Sequence, residues 1–329
     1  MSPRDRSGGL DGVLVVAKPS GPTSHDVVGL VRRLSSTRRV GHGGTLDPFA
    51  AGVLPVFLGR ATRLVEYHLS GEKRYRATIC FGETSTTDDI DGERTPIEGP
   101  VLTREAVEAG LAAFTGPIQQ VPPAYSAVQV AGRRAYQLAR RGEAVTLAPR
   151  EVVIHELTVL DWDASDPGRP IAIVDVRCSA GTYVRAIARD LGERLGSGAY
   201  LGALVRTASG GFTLDDAVSF EELRAHAADG PAGIARALRP VDSGLEHLPH
   251  APVTDDEVRR LGEGLLTAPK TRLAVRDAPL VLAVAPDGSI AAVCEAVAGA
   301  LQPHKVLAER ATTAGHPGHP APRAAAEPA

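Results

Sequence analysis

Val40-Gly41-His42-Gly43-Gly44-Thr45-Leu46-Asp47-Pro48-Phe49-Ala50-Ala51-Gly52-Val53-Leu54-Pro55-Val56 gathers glycine, proline and a single carboxylate between apolar residues. Three glycines within four residues allow the backbone to approach a partner closely, and Asp47 follows almost at once. The Lys-Ser/Thr ending of a Walker A phosphate loop is missing. Taken alone, Asp47-Pro48 suits a helix start, with a carboxylate at the N-cap and proline at the first helical position. That expectation leaves His42 and the glycines unused, although a side chain held at a helix start can also face a ligand.

Outward from this segment, Gly12 to Val16 reads as a short buried strand ended by Lys18-Pro19. Val27, Val28, Val31 and Leu34 recur at helical spacing after a Thr23 or Ser24 cap, and that helix ends near Ser35-Ser36. Arg74 to Phe81, Val152 to Trp162 and Ile171 to Cys178 read as strands, Thr103 to Phe114 as a capped helix, and Ile187, Leu191 and Leu195 as a helical stripe. Strands and helices interleave without a regular βαβ beat, so the expected class is α+β. No internal repeat is seen.

A Pro- and Gly-bearing stretch, roughly Arg239 to Pro252, reads as a domain junction, followed by a short helix and apolar strands at Leu280 to Ala285 and Ile290 to Val293. The expected organisation is a flexible leader over 1–9, a main domain over 10–245, a small β-rich module over 246–311 and a disordered tail over 312–329. With 329 residues, 43% hydrophobic and 23% charged, the chain has room for one large core and a small one. Three scattered cysteines, Cys80, Cys178 and Cys294, fit neither a disulfide framework nor a C-x-x-C metal site and point to a reducing, cytoplasmic setting. The polar N-terminus and short apolar runs argue against a signal peptide or a membrane span. Residues 1–206 hold 25 basic against 23 acidic residues and 207–329 hold 11 against 16, so an anionic partner is expected on the first two-thirds.

The central segment resembles the G-H-x-G-T-L-D-P-x-A-x-G-V-L-P motif of the TruB family of tRNA pseudouridine synthases. Further likenesses follow in the family's order. They are Val15-Val16-Ala17-Lys18-Pro19-Ser20-Gly21-Pro22-Thr23-Ser24, Lys73-Arg74-Tyr75, Pro123-Ala124-Tyr125-Ser126-Ala127 and Cys178-Ser179-Ala180-Gly181-Thr182-Tyr183-Val184-Arg185. Together they cover roughly residues 10–215, with a weaker likeness over 250–308.

The resemblance implies a pseudouridine-synthase-like mixed or antiparallel sheet flanked by helices, with a PUA-like RNA-binding C-terminal module. It also implies isomerisation of one uridine, at position 55 in the tRNA T-loop, after the base is flipped out, with no cofactor and no metal. By similarity Asp47 is the nucleophile, Arg185 the arginine that keeps it ionised, and Tyr75 the ring against the target base, placed to take its C5 proton. Tyr183 and Leu204 are expected in the pocket, His42 in the space the flipped base vacates, and Lys18 as a support of the active-site loop. Gly43, where the family more often carries Thr or Ala, implies a looser turn.

The run Gly132 to Gly142 sets Arg133, Arg134, Arg140 and Arg141 around Tyr136, suiting phosphate contact and stacking. The family has an RNA-gripping insertion here, about 124–150. Thr87-Asp88-Asp89-Ile90-Asp91-Gly92 with Glu98 approaches EF-hand spacing, but it begins with Thr and follows a strand, so an acidic turn is preferred. Expected partners are thus tRNA, with no membrane and no metal, and a monomer is the default state. Two rivals are an N-glycosidic hydrolase and a noncatalytic RNA-binding or RNA-folding protein. Hydrolases usually employ two cooperating carboxylates, and no second acid in the sequence has a setting comparable to that of Asp47.

Overall fold

The computed structural model describes residues 9–130, 132–271 and 277–308, in two compact units that meet in sequence at Glu246 and His247. The leader before residue 9 and the tail over 312–329 lie outside the described residues.

The first unit is built on a nine-stranded sheet. Its strands are β1 (Gly12–Lys18), β2 (Val40–His42), β3 (Ala51–Leu58), β4 (Lys73–Phe81), β7 (Gly116–Gln120), β10 (Arg150–Asp163), β11 (Ile171–Cys178), β12 (Ala199–Ser209) and β13 (Phe212–Thr213). Two small hairpins lie outside it, β5 (Glu83–Ser85) with β6 (Arg94–Pro96), and β8 (Gln129–Val130) with β9 (Arg133–Arg134). The spatial order is β1-β3-β12-β4-β11-β10-β7, with β2 added on β3 and β13 on β12. Every pairing is antiparallel except β3 with β12. The expected α+β class with a mixed sheet therefore holds.

Strand character follows from side-chain pattern. Along β4, residues alternate between buried and more exposed, as period two requires of a sheet with one packed face, while β3 is buried almost throughout because both of its faces are covered. On one face, α1 (Ser24–Leu34), α3 (Arg104–Ala112) and α5 (Val184–Leu195) bury Val27, Val31, Val107, Leu111, Ile187 and Leu191 against Leu54, Val56, Ile79 and Val174. A smaller cluster of Val13, Val15, Val53, Phe57 and Phe212 lies apart. Helix starts obey local chemistry: Thr23 and Asp26 form a capping box on α1, and Thr103 caps α3. The remaining helices of this unit are α2 (Val65–Leu69), α4 (Ala135–Ala139), α6 (Phe220–Ala227) and α7 (Gly230–Arg236).

One expectation fails. No helix begins at Asp47; the Ala50 amide donates to the Asp47 carbonyl at 3.1 Å, closing a turn, and the chain enters β3 at Ala51. Capping chemistry was satisfied on paper, but the run Val53 to Leu58 has no polar face to offer a helix and fits a strand buried on both sides. The turn is held instead by Ser24, whose hydroxyl donates to the Leu46 carbonyl at 3.0 Å and accepts from the Leu46 amide at 2.8 Å.

The second unit carries α8 (Asp255–Gly262) and a four-stranded sheet ordered β14 (His250–Pro252), β15 (Ala278–Val284), β16 (Ile290–Val297) and β17 (Ala300–Val306). Its core is small-residue rich, with Ala251, Val281, Ala283, Ala292, Cys294 and Leu301 packed under Leu261. Among the described residues no helix is long and apolar enough to cross a membrane.

Candidate active site

Asp47 sits on the turn between β2 and β3 with 34% of its side chain exposed. Arg185, in the first turn of α5, is 3% exposed. Its Nε lies 3.0 Å from Asp47 Oδ2 in an ion pair that lacks the alignment of a hydrogen bond. Its Nη1 lies 3.1 Å from Asp89 Oδ2 and donates to the Thr87 carbonyl at 3.0 Å, and Nη2 donates to the Tyr125 carbonyl at 2.9 Å. One guanidinium thus ties together three segments remote in sequence.

Asp89 corrects the view that no second acid has a comparable setting. It is 4% exposed in the turn of the β5–β6 hairpin, where Oδ1 accepts from the Thr87 hydroxyl at 2.5 Å and the Asp91 amide at 3.1 Å. The acidic turn is present between β5 and β6, and it supplies a buried carboxylate. Among the described residues no cluster of His, Cys, Asp and Glu could hold a metal ion. With its oxygens occupied and its charge paired, Asp89 is placed to orient Arg185 rather than to share proton transfers with Asp47. Asp88 makes a parallel pair with Arg189 at 2.9 Å, and Arg189 Nη2 donates to the Val121 carbonyl at 3.0 Å.

Burial pushes the Asp47 carboxyl up from the ordinary carboxylate range; the Arg185 charge opposes this and the Asp89 charge reinforces it. The neighbouring cations respond to the same environment. Lys18, 1% exposed, is brought down to about 8 by burial, partly offset by Asp47. Its Nζ donates to the carbonyls of Pro19, Pro22 and Pro48 at 3.0, 2.8 and 3.3 Å. His42, half-buried on β2, is held below the usual imidazole range by burial and then by the charges of Arg206 and His25, so the neutral ring is favoured at neutral pH.

Tyr75 is 9% exposed on β4, and burial raises its phenol. Leu204, 7% exposed on the adjacent β12, lies two positions along the ladder from Tyr75, opposite Ala77. Tyr183 caps α5 at its N-terminal end. Its amide donates to Gln120 Oε1 at 2.8 Å, its carbonyl accepts from Gln120 Nε2 at 3.1 Å, and the Arg150 guanidinium sits 4.5 Å from its ring centroid. Gly43 is not the loose turn expected. A Cβ there would lie 2.9 Å from Phe57 Cε2, so the Phe57 ring occupies the space a larger residue would need.

The four arginines of the insertion cluster on β9 and at the end of α4, away from this buried network. Arg133 pairs with Glu143 at 3.1 Å, Arg134 donates to the Ala127 carbonyl at 2.6 Å, and Arg140 lies over the Tyr136 ring at 5.6 Å. Arg133, Arg134 and Arg141 are exposed, as a phosphate-facing surface requires. The sequence reading missed Asp89, Arg206, Gln120 and Ser24. Arg206 alone left a signal: a cation directly after Leu204-Val205 in a strand whose neighbours are buried.

Comparison with known proteins places the chain. Residues 32–184 match the model for the TruB family pseudouridylate synthase (N terminal domain), and residues 185–246 that for the tRNA pseudouridylate synthase B C-terminal domain. The tRNA pseudouridine synthase B of Bradyrhizobium diazoefficiens is 42% identical over 310 residues, 92% of this chain and 87% of the relative. That of Thermobifida fusca is 46% identical over 304 residues, 91% of this chain and 99% of the relative. A chain of the solved Cbf5-Nop10-Gar1 complex superposes with a TM-score of 0.69 at 26% identity, covering 91% of this chain and 85% of that one. With family models spanning 32–246 and relatives this similar over nearly its whole length, the chain belongs to the TruB family of pseudouridylate synthases.

Proposed function

We propose that this chain isomerises a uridine of tRNA to pseudouridine, at position 55 in the T-loop, with Asp47 as nucleophile. The observation that carries the reading is the position of Asp47: a partly exposed carboxylate on the family's motif, 3.0 Å from a buried guanidinium that a second, fully engaged carboxylate orients. A nucleophilic carboxylate must be ionised, and burial alone would resist that; Arg185 supplies the compensating charge without capping both oxygens.

In this reading the uridine leaves its stack at a cost of a few kcal/mol and enters the pocket. The C1'–N1 bond breaks, the uracil turns, and C1' bonds to C5. The C5 proton is removed and N1 gains one, so composition is unchanged and no oxidant, reductant or second substrate is consumed. Tyr75 lies against the base, with its hydroxyl protonated at neutral pH because burial raises the phenol. Tyr183 and Leu204 complete the pocket wall and neutral His42 takes the space beside the vacated stack. Arg133, Arg134, Arg140 and Arg141 hold phosphates through exposed guanidiniums, and the β-rich second unit acts as a PUA-like RNA-binding module. The protein works as a cytoplasmic monomer.

The test is incubation of purified protein with an unmodified tRNA transcript, then mapping of pseudouridine and assay of free uracil. Pseudouridine at the T-loop site, lost in Asp47→Asn, is the expected result. Released uracil would replace the proposal with hydrolysis, and bound but unaltered RNA would replace it with a noncatalytic binder.

A further inference from the structure

Arg206 on β12 is among the largest fully buried side chains of the described residues, 1% exposed, and makes no ion pair with a carboxylate among them. An unpaired guanidinium away from water is costly, so its surroundings must answer it with acceptors. They do. Nε donates to the Val53 carbonyl at 2.8 Å, Nη1 to the Thr45 carbonyl at 3.3 Å and Nη2 to the Gly44 carbonyl at 3.1 Å. Gly44 and Thr45 precede Asp47 and Val53 follows it, so the guanidinium grips the nucleophile's turn from both sides.

Its strand neighbours close the frame. Arg206 stands opposite Tyr75 in the β12–β4 ladder. On its other edge Arg206 pairs with Gly52, where a Cβ would lie 2.2 Å from the Arg206 carbonyl oxygen. The motif glycine after Asp47 is therefore required by the closeness of the Arg206 backbone.

We propose that Arg206 is a positioning residue of the active site: its guanidinium fixes the Asp47 turn from both sides in one hydrogen-bonded frame, on the strand paired with that of Tyr75. Lacking a carboxylate partner, it also leaves a positive charge beneath the base. The proposal rests on the isomerase reading above. Lysine would keep the charge, but one ammonium cannot reach carbonyls on both sides of the turn. Glutamine would lose both.

The experiment compares wild type, Arg206→Lys and Arg206→Gln on a tRNA transcript. In single turnover, Arg206→Lys should be slower by about 10-fold and Arg206→Gln by about 100-fold, with transcript affinity within about threefold of wild type. Wild-type rates in both variants, or equal losses of rate and affinity, would overturn the proposal. Should the variants fail to fold, arginine-labelled NMR of wild type decides. A guanidinium locked onto the three carbonyls gives separate, slowly rotating Nη–H signals, and an averaged signal refutes the frame. Absence of pseudouridine from the wild-type reaction would instead refute the functional reading, while the NMR result still reports on the frame.

Discussion

Replacing Arg185 with lysine isolates geometry from charge. The guanidinium meets four partners at once, in ion pairs with Asp47 at 3.0 Å and Asp89 at 3.1 Å and hydrogen bonds to the Thr87 and Tyr125 carbonyls at 3.0 and 2.9 Å. An ammonium on a flexible stem can satisfy about two of them. Each lost bond to a charged group is worth about 1.5–3 kcal/mol, so two lost bonds cost about 3–6 kcal/mol of stability if nothing relaxes. The abandoned partner decides how much chemistry is lost. If lysine follows Asp89, Asp47 is released and displaced, and a displacement near 1 Å is worth about 100-fold in rate. Urea denaturation of Arg185→Lys should therefore show a loss of several kcal/mol, and single-turnover isomerisation of a tRNA transcript a fall of about 100-fold or more. Asp89→Asn serves as the companion: it leaves Asp47 intact yet should slow the reaction, because Arg185 loses its anchor. A lysine variant within twofold of wild-type rate, with stability lowered by under about 1 kcal/mol, would refute the view that the fork orients the nucleophile.

Asp47→Asn should abolish isomerisation. Because burial raises the wild-type carboxyl, its ionisation opposes folding, so the variant's stability relative to wild type should improve as pH rises from 4 to 7 in urea titrations; a relative decline would contradict the cause assigned to the shift. Lys18, depressed to about 8, should contribute the opposite slope to a usual lysine ion pair. The folded protein releases its proton before the unfolded chain does, so stability gains up to about 1.4 kcal/mol per pH unit between pH 8 and 9. Lys18→Met should flatten that slope, and an unchanged slope would reject the assignment. Gly52→Ala drives a Cβ to 2.2 Å from the Arg206 carbonyl at a φ of +110° and should cost about 3 kcal/mol or more in thermal or urea melts; a cost under about 1 kcal/mol would show that the strands separate easily.

The elements were legible where period and caps agreed. Ile171 to Cys178 was read with its observed ends, and the Thr23 and Thr103 caps announced α1 and α3 correctly. The Asp47-Pro48 pair misled because cap preference is a local rule, worth about 1 kcal/mol. Placing Val53 to Leu58 inside a sheet covered on both faces outweighs it. Asp47 and Arg185 were found through the motifs, whereas Asp89 was not. Its role arises from a contact between a hairpin turn and a helix, and nothing in the local spacing of an acidic turn encodes which cation it will meet. Arg206 was hidden for a related reason: carbonyl partners leave no trace in residue identity.

The Arg185 Nη2 bond to the Tyr125 carbonyl lies at the root of the arginine-rich insertion, and Arg189 holds the Val121 carbonyl just before it. The segment that leads out to the proposed RNA-gripping surface is thereby moored to the side chain that pairs with Asp47. Exchanging the insertion for a longer or shorter one from a relative would have to preserve this anchorage. A graft spliced beyond Tyr125 keeps the carbonyl in reach, whereas one spliced before Val121 severs both moorings and would couple a change of grip to a loss of turnover.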